Sequence, residues 1–328
     1  IDYSSREDGY LRQLFLSRPF YALSGRWAMD LKLWDNLADQ RYYLSNAGQA
    51  GVDPARNASL YTKLPYNDSG VEGGLQWRLT HPDQGRLWRL GVGLRVRRTV
   101  FNLDQPAYEL SDGRMEELTW LTEPGEPFAR DQGTTVFPFL WLHSLGRHWG
   151  KSRFVLQYGP VEDLPLDLEF EVKAGPSGGR LGSTTGYGES RFQIEARFIK
   201  WIPTGPGYLF VHGNGDGATG SRAVRNYRYD FVVGWIGKSG AEMSPWTTRV
   251  FAEYAQGQNL LGSRALLLGL DRGMRTLEFD GMAGDKLGRW NLEQGKAMPW
   301  EIAGLFRMGF AGFYSGGRAW WRDEAKDT

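Results

Sequence analysis

Few residues in this sequence combine a reactive type with a productive spacing. The four histidines are His81, His143, His148 and His212. His143 and His148 flank one tight turn, but their spacing fits no zinc motif and no acidic third ligand is near them in sequence. Residues 213–220, GNGDGATG, offer oxygen ligands at Asn214 and Asp216, as a calcium loop does. The segment lacks the fifth-position ligand and the terminal Glu of an EF-hand, so it reads as a Gly-rich hairpin turn. No G-x-x-x-x-G-K-[ST] phosphate loop occurs. Cysteine is absent, which excludes a disulfide framework and Cys-based metal sites. Asp and Glu are numerous but fall in rows, without an isolated pair in contrasting environments. The sequence therefore predicts no catalytic residues, no metal and no cofactor: this is not an enzyme.

Composition narrows the class. With 328 residues and a formal charge of +1, the chain is not a basic nucleic-acid binder. Aromatic residues make up 14% and Gly numbers 44, both high, yet the mean hydropathy is negative. No window approaches the ~18 consecutive apolar residues of a membrane helix. This profile suits a transmembrane barrel, whose strands are apolar on one face only and so score as polar overall. No helical periodicity, linker or charge run divides the chain, so 1–328 reads as one domain.

Strand signals run from end to end. Residues 86–101 put Trp88, Leu90, Val92, Leu94 and Val96 on one face, and Arg89, Gly91, Gly93, Arg95 and Arg97 on the other. Trp27, Met29, Leu31 and Leu33 alternate with Ala28, Asp30 and Lys32. Leu168, Phe170 and Val172 alternate with Asp167, Glu169, Glu171 and Lys173. In 224–236 the row Tyr227, Tyr229, Phe231, Val233, Trp235 opposes Arg228 and Asp230, and it is too aromatic for an exposed soluble face. Further strands are expected at 10–20, 40–45, 71–80, 191–201, 208–212, 247–256 and 305–317, with a hairpin formed by 134–145 and 149–158. Residues 46–70 and the acidic, Pro-containing 102–133 read as loops. Periodicity alone fits a soluble sandwich equally well. Repetition decides for a barrel, because no segment is left to cover the apolar face. Trp88, Leu90, Val92, Leu94, Tyr227, Tyr229, Phe231, Phe306, Met308 and Phe310 are then expected to face lipid, with Arg89, Arg95, Arg228 and Arg307 lining the lumen. Trp34, Trp201, Trp235 and Trp320 fit interfacial girdles.

Three stretches carry a resemblance. Residues 17–28, SRPFYALSGRWA, resemble the R-P-F-Y-A-L-x-x-R-W-A hairpin of the BamA/TamA-like outer-membrane assembly superfamily, the bacterial surface antigen barrels. Residues 161–166, VEDLPL, resemble the E-D-x-P-L-G of the same barrels, with Asp167 in place of the Gly. Residues 269–293 resemble the inward-folding loop, whose R-G-[YF] tip corresponds to Arg275, Thr276 and Leu277 here. A guanidinium confined in a lumen is tolerable only when paired and hydrogen-bonded. The resemblance pairs Arg275 with Glu293, on the strand leaving the loop. The second acidic partner of the family, in an F-x-D-x-G strand, is replaced by Ser315. The alternative is that Arg275 is one of many lumenal charges.

The resemblance implies an all-β, antiparallel transmembrane barrel of about 14–16 strands in the bacterial outer membrane, with the loop around Arg275 folded inward. It implies assistance to insertion or export of polypeptides, with weakly paired first and last strands to which a client strand adds. The partners implied are outer-membrane lipid and client polypeptides or other envelope proteins. A structural or pore-forming barrel anchoring a larger envelope assembly is the alternative, and the barrel of a lipase-linked transporter is a third class. The periplasmic receptor repeats are not in this sequence. An odd strand count and the polar residues 321–328 lead to the expectation that at least one C-terminal strand lies outside it.

Overall fold

The computed structural model describes residues 2–6, 9–18, 25–43, 61–81, 85–101, 107–109, 115–117, 132–153, 155, 161–184, 191–219, 224–241, 244–258, 260, 265–269, 274, 282–302 and 306–321. Among them the only helical piece is a 3-10 turn at Gly179–Leu181. The strands in chain order are β1 (Asp2–Arg6), β2 (Gly9–Arg18), β3 (Trp27–Tyr43), β4 (Tyr61–Arg78), β5 (Arg86–Phe101), β6 (Ala107–Glu109), β7 (Met115–Glu117), β8 (Gly133–Gly146), β9 (Trp149–Arg153) and β10 (Val161–Pro165). They continue with β11 (Glu169–Ser177), β12 (Arg191–Thr204), β13 (Gly207–Thr219), β14 (Val224–Ala241), β15 (Ser244–Gln258), β16 (Leu266–Leu268), β17 (Met282–Gly284), β18 (Lys286–Ile302) and β19 (Phe306–Trp320).

Among the described residues thirteen strands form one antiparallel path, β1-β2-β3-β4-β5-β8-β11-β12-β13-β14-β15-β18-β19, and β6 and β7 join the same sheet through β4. Each wall strand pairs with the next in sequence, except where a small hairpin is set aside: β6–β7, β9–β10 and β16–β17. This is the wall of an outer-membrane-type β-barrel. It is not closed, since among the described residues no ladder joins β1 to β19. At one end the wall strands are joined by short connections, such as 205–206 and 242–243. The other end carries the long ones, 44–60, 102–132 and 259–285.

The two faces differ as the alternation requires. Leu90, Val92 and Leu94 on β5 lie beside Trp77 and Leu75 on β4 and Leu140 on β8, all exposed. The opposite face carries charges that reach one another across several strands. Side chains leave a sheet roughly perpendicular to it, and strands lie about 4.8 Å apart. Arg95 on β5 nevertheless meets Glu195 on β12, three strands away, and Lys173 on β11 meets Glu72 on β4. Such ties need the strands to curl toward one another on that side, so the charged face is concave and the apolar face convex.

Some sequence expectations need correction. The strand β4 begins at Tyr61, well inside the stretch 46–70 read as a loop; Asn67, Asp68 and Ser69 are turn-type residues held in ladders to both β3 and β5. Pro65 is tolerated because the β5 ladder starts only at Tyr66. A short hairpin, β6–β7, interrupts the loop 102–133. Residues 213–219 are not a turn but the second half of β13, with Asn214 and Asp216 facing inward and the glycines outward. Gly213 is required there, because a Cβ would sit 2.4 Å from the Phe198 ring that covers it. The expected hairpin of 134–145 with 149–158 does not form: β8 pairs with β5 and β11, whereas β9 pairs with β10 in a separate sheet. Trp34 and Trp201 point inward, at the parity of Asp30 and of Arg197, and not outward as girdle residues. Trp34 donates to Asp68, and Trp201 is 3% exposed.

If the convex face meets hydrocarbon, an Arg at its centre is costly. Val92→Arg is expected to destabilise the folded barrel in lipid by about 2–4 kcal/mol, read by urea unfolding, whereas Gln193→Arg on the concave face is expected to change stability by under ~1 kcal/mol. Equal effects at the two positions would remove the distinction between the faces.

Candidate functional site

The concave face is built by period-2 alternation on neighbouring strands. Asp30 and Lys32 come from β3, Glu72 from β4, Arg95 from β5, Phe137, Phe139 and Trp141 from β8, Glu171 and Lys173 from β11, and Glu195 and Arg197 from β12. Strand register puts opposite signs side by side: Lys32 faces Glu72, Glu72 faces Arg95, Lys173 faces Glu195 and Glu171 faces Arg197.

Arg95 is the hub. Its Nε donates to Glu72 at 2.5 Å, and its two terminal nitrogens grip Glu195 in a bidentate pair. Lys173 donates to the other Glu72 oxygen at 2.6 Å. The Lys173 ammonium also lies 4.7 Å from the centre of the Trp141 ring and 5.2 Å from that of Phe139. These distances suit cation–π attraction. The Phe139 ring reaches this position because Gly93 has no side chain; a Cβ there would be 2.3 Å from it. Arg197 completes the row through Glu171 at 2.7 Å. Arg95, Glu72 and Glu195 are each only about a fifth exposed (21–23%), so their charges depend on each other more than on water. A cavity of about 630 Å³ opens beside the network, lined by Asp30, Glu72, Arg95, Trp141, Lys173 and Glu195 among others.

Elsewhere on this face Arg249 pairs with Glu293 at 2.5 Å, Arg289 pairs with Glu253, and Arg97 pairs with Asp68 at 2.5 Å. Outside the wall, Asp167 Oδ2 accepts from the backbone N–H groups of Arg147 and His148 and lies 2.9 Å from the His148 ring. The His148 backbone N–H, followed by its ring, holds the Asp167 carboxyl below the usual carboxylate range. His143 meets Glu169 at 3.1 Å. Each of these two histidines thus meets a single carboxylate, and among the described residues no group of three potential ligands occurs.

The sequence-derived sites fall unevenly on this structure. Arg275 lies outside the described residues. Glu293 is described and pairs with Arg249, a strand-to-strand contact that the sequence reading did not find. Ser315 faces Asn291 across the β18–β19 ladder. Leu90, Val92, Leu94, Tyr227, Phe231, Met308 and Phe310 are exposed on the convex face, with Trp88 and Tyr229 half-buried on the same side. Arg89, Arg95 and Arg228 take the opposite parity. The side chains of Phe306 and Arg307 lie outside the described residues. The Arg95 hub was visible in sequence only as one lumenal Arg; its partners lie on strands far away in the chain, and no local spacing encodes them.

No family model matches the sequence, and no curated protein does. The structure is similar to the crystal structure of BamA from Haemophilus ducreyi lacking POTRA domains 1-3, with a TM-score of 0.44 and 12% sequence identity. The match covers 96% of this chain and 63% of that one, so this chain spans less than two thirds of its length.

The Arg95 hub makes a quantitative expectation. Arg95→Gln leaves Glu195 and Glu72 without their shared guanidinium and is expected to cost about 1–3 kcal/mol of stability. A double-mutant cycle of Arg95→Gln with Glu195→Gln is expected to return a coupling of roughly 1 kcal/mol or more in urea unfolding. A coupling near zero would mean that the tie across three strands does not hold the wall.

Proposed function

We propose that this protein is an outer-membrane barrel that assists the insertion or export of polypeptides, with the free edge of β19 as the template for a client strand. The observation that carries this reading is the edge itself. Among the described residues β19 pairs in the sheet only with β18, and it is fifteen residues long. Natural sheets blunt an exposed edge with Lys, Pro or a bulge. The sequence of β19, FRMGFAGFYSGGRAW, contains neither Lys nor Pro, and residues 308–314 are exposed throughout. An extended client segment can add to such an edge through main-chain hydrogen bonds, which tolerate many side-chain sequences. The resemblance of residues 17–28 and 161–166 to the surface antigen barrels agrees with this reading.

In this proposal the convex row of Trp88, Leu90, Val92, Leu94, Tyr227, Tyr229, Phe231, Phe306, Met308 and Phe310 lies in the hydrocarbon of the outer membrane. Arg275 holds the inward loop among the lumenal charges. A second reading, a pore-forming or anchoring barrel, is favoured by one observation, the charge-lined cavity beside Arg95.

A photoreactive benzoyl group in place of Tyr314, which is 68% exposed on the β19 edge, separates the two. In liposomes supplied with an unfolded outer-membrane protein, illumination is expected to cross-link that client at position 314 and not at Val92 in mid-wall. Equal labelling at both positions, or none at 314 while the client inserts, would contradict the edge-template reading.

A further inference from the structure

Ladder register decides which charges on the concave face find partners. Asp30 and Lys32 lie two residues apart on β3 and share that face. Lys32 stands directly opposite Glu72 on β4. It does not capture that carboxylate, because one Glu72 oxygen accepts from Arg95 and the other from Lys173. The Lys32 ammonium lies instead 5.7 Å from the centre of the Trp34 ring. Asp30 stands opposite Gly74 on β4 and Ser17 on β2, neither of them a cation. Among the described residues, neither Asp30 nor Lys32 makes an ion pair or a side-chain hydrogen bond.

The surroundings do not compensate them. The charges acting on Asp30 are Lys173, Glu171 and Glu72. Of these, Lys173 is committed to Glu72 at 2.6 Å, and Glu171 is held by Arg197. Asp30 is therefore a half-buried carboxylate beside two others, with one cation that is already shared. A partly buried charge in that position favours any group that brings a cation to it.

Space for such a group is present. Asp30, Lys32 and Phe15 all line the cavity of about 630 Å³ beside the Arg95 hub. Phe15 is the ladder partner of Lys32 on β2 and shares its inward face, yet it is 58% exposed. An uncovered ring, an ammonium and a carboxylate thus open on one cavity. Binding sites are commonly built this way, from apolar surface and a few converging polar groups. Residues two apart on a strand have Cα atoms about 7 Å apart, and charge-assisted hydrogen bonds run about 2.7–2.9 Å. A zwitterion whose two charges share one carbon fits between Asp30 and Lys32.

We propose that this trough binds an α-amino acid with an apolar side chain. Its ammonium donates to Asp30, its carboxylate accepts from Lys32, and its side chain rests on Phe15. The Arg95 hub stays intact, since none of its carboxylates is used. The site does not involve the β19 edge, so amino-acid binding and client insertion can fail separately.

Calorimetric titration of the full chain, folded in dodecyl maltoside, tests this with L-phenylalanine, phenethylamine and hydrocinnamate. The last two each carry one of the amino acid's two charges. The expected result is saturable binding of L-phenylalanine, with each half-analogue weaker by about tenfold or more. Asp30→Asn should reduce L-phenylalanine to the affinity of hydrocinnamate without weakening hydrocinnamate itself. Lys32→Gln should reduce it to the affinity of phenethylamine. Absence of saturable L-phenylalanine binding would overturn the proposal. Phenethylamine bound as tightly as L-phenylalanine would also overturn it, leaving a simple cation site. So would unchanged L-phenylalanine affinity in both variants, each migrating as folded on a cold gel. The comparison of the three ligands on the parent chain decides the matter even where a variant does not fold.

Discussion

Everything in this wall depends on how charge is accommodated on its concave face. The guanidinium of Arg95 serves Glu72 and Glu195 together, and Lys173 closes the circuit back to Glu72. A sheet that turned these residues inward without pairing them would leave partly buried charges uncompensated, which is among the larger penalties a fold can carry. Pairing over three strands does more than neutralise. It draws β4, β5, β8, β11 and β12 into a curve, so the polar interaction and the barrel shape are one constraint. Curvature in turn sends Leu90, Val92 and Leu94 to the convex side, where no second layer covers them.

Where one face must be charged and the other apolar, a period of two is readable directly, and β5, β11 and β14 were legible for that reason. Legibility failed where the rule was relaxed. Residues 61–70 look like a loop because Lys, Pro, Asn, Asp and Ser dominate them, yet two flanking ladders hold them extended. Trp201 and Phe210 are aromatic residues on the inner face, tolerable there only because Val155 and Leu164 cover them. Without that cover, composition assigns them outward, and the β9–β10 hairpin is mistaken for wall. The site was less legible than the fold. Glu293 was singled out as the partner of Arg275, which lies outside the described residues; the partner it shows is Arg249, one strand away, a contact that depends on register and not on motif. Ion pairs between β4 and β11, or β5 and β12, have no local signature at all.

Three hairpins branch from the wall path, β6–β7, β9–β10 and β16–β17. Two of them pack apolar residues against inward positions: Leu164 of β9–β10 against Trp201, and Leu266 and Leu268 of β16 against Leu287 and Ala319. The lumen thus contains dry islands in a wet, charged surface. The β16–β17 island rests on β18 and β19, next to the free edge. The β9–β10 island rests on β12 to β14, opposite the long connections. One sheet therefore carries an edge, a charged trough and a packed hairpin at separate places.

The central claim is that one face of this wall is wet and charged while the other is dry. Single cysteines placed in turn at positions 90 to 94 of β5, carrying a nitroxide in reconstituted liposomes, test it most directly, since the sequence offers no competing thiol. The expected result is a two-residue alternation, with greatest collision with molecular oxygen at 90, 92 and 94 and with a water-soluble nickel chelate at 91 and 93. Chelate access at 92 equal to that at 93, or exclusion of both probes from both faces, would contradict the barrel wall and return the chain to a packed soluble sheet.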